Sequence, residues 1–130
     1  MKRLLYTATL LLMSIAFSGC DELFAYEDLL GKWAADYYYD GYNYRPLDGQ
    51  EVDWFTFYRD HTGRYEYYDR GRLYYSDFDW EVRSGHQLEI SFRDRGGRTY
   101  ERYYYDWDAR RNLMLSETSN FSRYTAYRLY

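Results

Sequence analysis

Residues 77–83 read Asp77-Phe78-Asp79-Trp80-Glu81-Val82-Arg83, "DFDWEVR", with charged and apolar side chains alternating without a break. Successive side chains of a strand point to opposite faces, so Phe78, Trp80 and Val82 share one face. Asp77, Asp79, Glu81 and Arg83 share the other. Period two over seven residues is what a half-buried antiparallel strand requires.

The neighbours on both sides repeat the pattern. "SGH" (84–86) turns the chain, and Leu88, Ile90 and Phe92 then alternate with Glu89, Ser91 and Arg93. "DRGGR" (94–98) reads as a hairpin loop, since Gly96 and Gly97 accept positive φ at little cost. Downstream, "TYERYYYDWD" forms a strand, "DARRN" (108–112) a turn, and "LMLSET" and "SRYTAYRLY" the last two strands. Upstream, "RYEYYD" and "EVDWFTFYRD" are strands joined by the tight turn "DHTG" (60–63). The first strand covers about Gly31 to Tyr39, followed by a long loop through Pro46 and Gly49. Residues 22–30, "ELFAYEDLL", predict one short helix ahead of them.

Eight consecutive antiparallel strands leave two unpaired edges unless the sheet closes. Closure at eight gives a barrel just wide enough to fill with side chains or to hold one small ligand. The expected fold is therefore all-β, an eight-stranded antiparallel up-and-down barrel over residues 30–130. A two-sheet sandwich competes, but its crossovers call for longer connections than most found here.

Leu30-Gly31-Lys32-Trp33 opens the first strand with a Gly-x-Trp. It resembles the start of the lipocalin and calycin barrels, in which the tryptophan packs across the closed end beneath a short N-terminal helix. The later series is Phe55-x-Phe57, Asp60-x-x-Gly63, Phe78-x-Trp80, Leu88-x-Ile90, Leu113-x-Leu115 and Tyr124-x-x-Tyr127. It resembles the small lipocalin-like lipoproteins of Bacteroidota. That resemblance implies a ligand-binding barrel for small apolar molecules.

The N-terminus belongs to targeting. Lys2 and Arg3 precede an apolar stretch from Leu4 to Phe17, shorter than the ~20 residues that span a bilayer. The ending Phe17-Ser18-Gly19-Cys20 resembles the lipobox of bacterial lipoproteins, which implies cleavage after residue 19 and lipidation of Cys20. Residues 20–29 then form the tether and helix. Cys20 is the one cysteine of the chain, so no internal disulfide forms and the core alone holds the domain. Several acyl chains at Cys20 anchor a protein stably where a single chain would not. Asp21-Glu22 resembles a surface-export signal of Bacteroidota lipoproteins, and an aspartate there also resembles an inner-membrane retention signal of enterobacteria. The expected location is the cell envelope, on the periplasmic or outer face of the outer membrane.

Without Lys2 and Arg3, 15 of the 17 basic residues face all 21 acidic ones, a balance of −6. Such a balance argues against nucleic acid and against electrostatic docking to anionic lipid.

The chain holds 20 tyrosines, densest in "DYYYDGYNY" over residues 36–44. With Trp33 pointing inward, strict alternation sends Ala35, Tyr37 and Tyr39 inward, and Asp36, Tyr38 and Asp40 outward. The other inward positions are Phe55, Phe57, Tyr65, Tyr67, Phe78, Trp80, Leu88, Ile90, Phe92, Tyr100, Tyr104, Leu113 and Leu115. Aromatic rings bury ~150–250 Å² each, so a barrel lined this way has little room left. Buried phenols need partners, and Arg102, on the same parity, is the expected donor. Tyr42 and Tyr44 hang at a rim, where rigid amphipathic rings suit contact with a partner or stacking on a sugar. Outward aromatics are Trp54, Tyr58, Tyr68, Tyr75, Tyr103 and Tyr105.

Catalytic and metal chemistry find no support in spacing. His61 and His86 sit in separate turns without carboxylate or thiol at ligand distance, and Asp77, Asp79 and Glu81 form a charge-paired strand face. Ser84 and Ser116 lack a base at recognisable spacing. No cofactor is expected. The functional expectation is a membrane-anchored, non-enzymatic binding module for a small amphipathic molecule or glycan, contacted by Tyr39, Tyr42, Tyr44, Trp54 and Arg102. The alternative is a filled barrel whose aromatic outer face meets another envelope protein.

Overall fold

A computed structural model describes residues 26–94 and 97–130. The leader, the lipobox, Cys20 and the start of the predicted helix lie outside the described residues. Among those described, nine strands follow a short helix over residues 26–29. They are β1 (Gly31–Tyr39), β2 (Tyr44–Pro46), β3 (Trp54–Phe57), β4 (Thr62–Asp69), β5 (Arg72–Arg83), β6 (Gln87–Asp94), β7 (Gly97–Trp107), β8 (Leu113–Ser116) and β9 (Tyr124–Leu129).

From β3 to β9 each strand pairs antiparallel with the next, and β1 pairs with both β3 and β9. Eight strands therefore close into a barrel, and among the described residues no second sheet is stacked on it. β2 is the addition to the predicted set: its Tyr44 pairs with Tyr39 and its Pro46 with Tyr37. β1 thus meets β3 along its first half, through Gly31 to Ala34, and β2 along its second.

The "DFDWEVR" reading holds. Phe78 and Trp80 are buried, Phe92 and Ile90 stand opposite them, and Asp79 pairs with Arg93 and Arg98 outside. The core fills with Phe55, Phe57, Phe78, Trp80, Leu88, Ile90, Leu113 and Leu115. At ~25 cal/mol per Å² of apolar surface removed from water, such rings dominate the stability of a disulfide-free domain.

One end is closed. Trp33 donates its indole N–H to the Leu29 carbonyl at 2.9 Å, and Leu29 is fully buried. Tyr26 stacks on Trp80 at 5.1 Å, and Trp80 donates to the Thr62 carbonyl at 2.9 Å. The Gly-x-Trp expectation, a tryptophan beneath a short helix, is met.

Two stretches depart from strict alternation. Ala35 faces Tyr127 and Tyr37 faces Ala126, so Asp36 is an extra residue on β1. Such a bulge reverses the facing of everything beyond it. Tyr37 and Tyr39 therefore turn outward, while Tyr38, opposite Thr125, turns in. On β7, Thr99, Glu101 and Tyr103 stand opposite the inward Phe92, Ile90 and Leu88. Tyr100, Arg102 and Tyr104 consequently face out, and Tyr103 and Tyr105 face in. The tyrosines of "YERYYY" occupy both parities, so pattern alone could not set the phase. Trp107, packed against Trp33 at 5.7 Å, and Tyr105, buried opposite Leu115, set it instead.

Candidate functional site

The end opposite the helix is open, and the β1–β3 connection shapes it. The bulge at Asp36 frees a carbonyl that accepts the Leu47 N–H at 2.9 Å, and Ala35 N–H donates to the Asp53 carbonyl at 2.9 Å. These two bonds hold residues 47–53 against β1. The connection contains a 3₁₀ turn, Gly49–Glu51, and sets Leu47 and Val52 against the core.

Between this connection and β4 lies a cleft of about 410 Å³. The inward rings Tyr38, Tyr65, Tyr67 and Tyr127 line it with Leu47, Val52, Gln50 and Thr125, and it holds two carboxylates, Asp53 inside and the exposed Glu51. Its size is in the range of small-molecule sites, and it is an open groove whose exposed lining is more polar than apolar. Arg45 at the rim is paired with Glu51 at 3.0 Å.

Two phenols converge on one oxygen. Tyr65 donates to Asp53 Oδ2 at 2.6 Å, and Tyr127 donates to the same atom at 3.5 Å. Burial raises the Asp53 carboxyl above its ordinary value, opposed by the Tyr65 phenol, its own amide and the Tyr127 phenol. Burial, then the adjoining Asp53, pushes the Tyr65 phenol up, and burial pushes Tyr127 well up. A second carboxylate, Glu101, accepts from Tyr103, whose phenol is likewise raised by burial and by Glu101. Phenols held neutral this way are hydrogen-bond donors that orient a carboxylate. The expected partner, Arg102, instead lies on the outer wall 3.4 Å from Glu89.

The predicted contact residues fall in four places. Tyr39 and Tyr44 lie 4.7 Å apart on the outer face, and Tyr124 is 5.3 Å from Tyr39. Tyr37 joins this cluster and donates to Asp108 Oδ2 at 2.9 Å. Tyr42, 90% exposed, sits on the turn between β1 and β2, where Asp40 Oδ1 accepts the Tyr42 and Asn43 amides at 2.8 Å. Trp54 stands apart on the outer side of β3, with Tyr68 at 5.8 Å and the Lys32 ammonium over its ring at 5.7 Å. Arg102 is on the far wall. None of the five lines the cleft around Asp53.

Asp53 escaped the sequence reading, although its parity matches that of Phe55 and Phe57, and a charge on the inward parity of a strand was the available signal. Tyr38 escaped because nothing in "DYYYD" announces a bulge. Among the described residues, no group of three or more histidine, cysteine or acidic side chains is placed to hold a metal ion, and no helix is long and apolar enough to cross a membrane. Comparison with known protein families, curated proteins and solved structures finds no significant match to this chain.

Proposed function

We propose that this chain is a lipocalin-like lipoprotein of the Bacteroidota type, anchored to the cell envelope through Cys20, whose barrel mouth binds a small amphipathic molecule without chemical conversion. The observation that carries the reading is the cleft beneath the β1–β3 connection. Its tyrosine rings, Leu47 and Val52 suit an apolar body, and Asp53 suits a hydrogen-bond-donating head, an amine foremost. Aromatic faces and a desolvated carboxylate both favour such a head.

Equilibrium binding of a panel of octylamine, octanol, octanoate and short glycans tests this. Octylamine should bind saturably, and Val52→Trp, which fills the cleft, should abolish binding. Absence of binding by every member would remove the reading.

A second reading, an aromatic outer face that meets another envelope protein, draws on the ring cluster of Tyr37, Tyr39, Tyr44 and Tyr124. Cross-linking in intact cells would then recover a defined partner that Tyr44→Ala loses.

A further inference from the structure

The closed end carries a second cleft, of about 390 Å³, on the side of the helix over residues 26–29. Two tryptophans, Trp33 and Trp107, form part of its wall with Arg110, Arg111 and Arg128, three guanidinium groups against the single carboxylate of Asp28. In a domain of net negative charge, most basic side chains are neutralised locally: Lys32, Arg45, Arg59, Arg64, Arg83, Arg93, Arg98 and Arg102 all have a carboxylate within 4 Å. Arg110, Arg111 and Arg128 are not among these ion pairs; nor are Arg70, Arg72 and Arg123, but only the first three gather around one cleft among the described residues. The Asp108 carboxylate accepts from the Arg110 amide, from Asn112 and from the Tyr37 phenol, and forms no ion pair with the three guanidinium groups. Beside the cleft, Leu129 and Tyr130 expose apolar surface at 57% and 82%.

We infer that the closed end is the membrane-facing end, and that Arg110, Arg111 and Arg128 bind the anionic headgroups of the lipid surface that carries the protein. Guanidinium groups match phosphate oxygens in a bidentate fork, and indole and phenol rings favour the headgroup level of a bilayer. Chain length agrees. Five residues separate Cys20 from Tyr26, six steps of chain with a reach of at most about 20 Å, so an anchored Cys20 holds this end near the surface. The net charge of −6 disfavours docking of the domain as a whole, but exposed charges farther than about 10 Å are largely screened at 0.1 M salt, so the local cluster governs this contact. The open mouth with Asp53 then faces away from the membrane. This inference rests on the anchor reading at Cys20 and is independent of what the mouth binds.

Photo-cross-linking from a headgroup-labelled phosphatidylglycerol tests it. The full lipidated chain is placed in phosphatidylcholine vesicles with and without that lipid. The label should fall on residues 107–112 and 128–130. Arg110→Gln/Arg111→Gln/Arg128→Gln, exposed changes that leave the core intact, should cut it by at least about tenfold. Label on the barrel mouth, or unchanged label in the triple variant, would overturn the inference while leaving the anchor in place. Displacement of the label by an equal concentration of inorganic phosphate would make this a free-anion site and overturn it too. Failure of the chain to stay with vesicles of either composition would remove the anchor reading and this inference together.

Discussion

The Tyr65 phenol donates a 2.6 Å hydrogen bond to Asp53 Oδ2, tying β4 to the residue that leads into β3. The bond joins the wall of the mouth to its acid. Tyr65→Phe keeps the ring, which packs on Phe55 at 4.7 Å, and removes the donor. Asp53 is then left with the longer Tyr127 bond, at a cost of about 1–3 kcal/mol. Denaturant titration of the variant against the parent measures it.

The Asp53 carboxyl is raised by burial, so the folded chain keeps a proton that the unfolded chain has already released. Stability therefore falls as pH rises from the ordinary aspartate value, about 3.9, to the raised folded value, and this contribution is level above it. Asp53→Asn should remove that part of the slope and leave the contribution of the other carboxylates. Chemical denaturation across the acid range reads the difference.

Tyr65, Tyr103 and Tyr127 have raised phenols. Their neutral form is favoured by folding, so their contribution is complete below the unfolded tyrosine value near 10 and is lost as pH rises beyond it. Each contributes at most about 1.4 kcal/mol per pH unit there, less for the half-buried Tyr65 and Tyr103. Ultraviolet titration should show these three ionising late and together with unfolding; burial also raises the Tyr37 and Tyr124 phenols.

Gly63 lies under Phe78 across the β4–β5 pair, and a Cβ there would sit 2.3 Å from the Phe78 ring and 2.5 Å from the Thr56 carbonyl. Gly63→Ala should cost about 1–3 kcal/mol or more. Phe78→Leu in the same chain should recover part of the loss, a non-additive pair by thermal melting.

Ser91 is buried with its hydroxyl unpartnered. Ser91→Ala removes an unpaired polar atom and should be neutral or stabilising by about 1 kcal/mol, a rise in melting temperature.

Where one face of a strand is apolar and the other charged, the sequence was legible to the residue. β1 begins and ends as read, and Phe78, Trp80, Leu88 and Ile90 lie inside. Legibility fails where tyrosine occupies both parities, because a phenol tolerates either face. β7 was read out of phase for that reason. The Asp36 bulge is set by partners far along the chain, Tyr127 and Leu47, which no local pattern shows. The cleft depends on both features, so its lining was hidden even though its strands were not.

The proposed ligand site is the mouth around Asp53. Nuclear magnetic resonance titration with octylamine tests it most directly. Saturable shifts at Tyr38, Tyr65, Tyr127 and Asp53, absent in Val52→Trp, are the predicted result. Shifts confined to Tyr39, Tyr44 and Tyr124 on the outer face, or none at any residue, would contradict it.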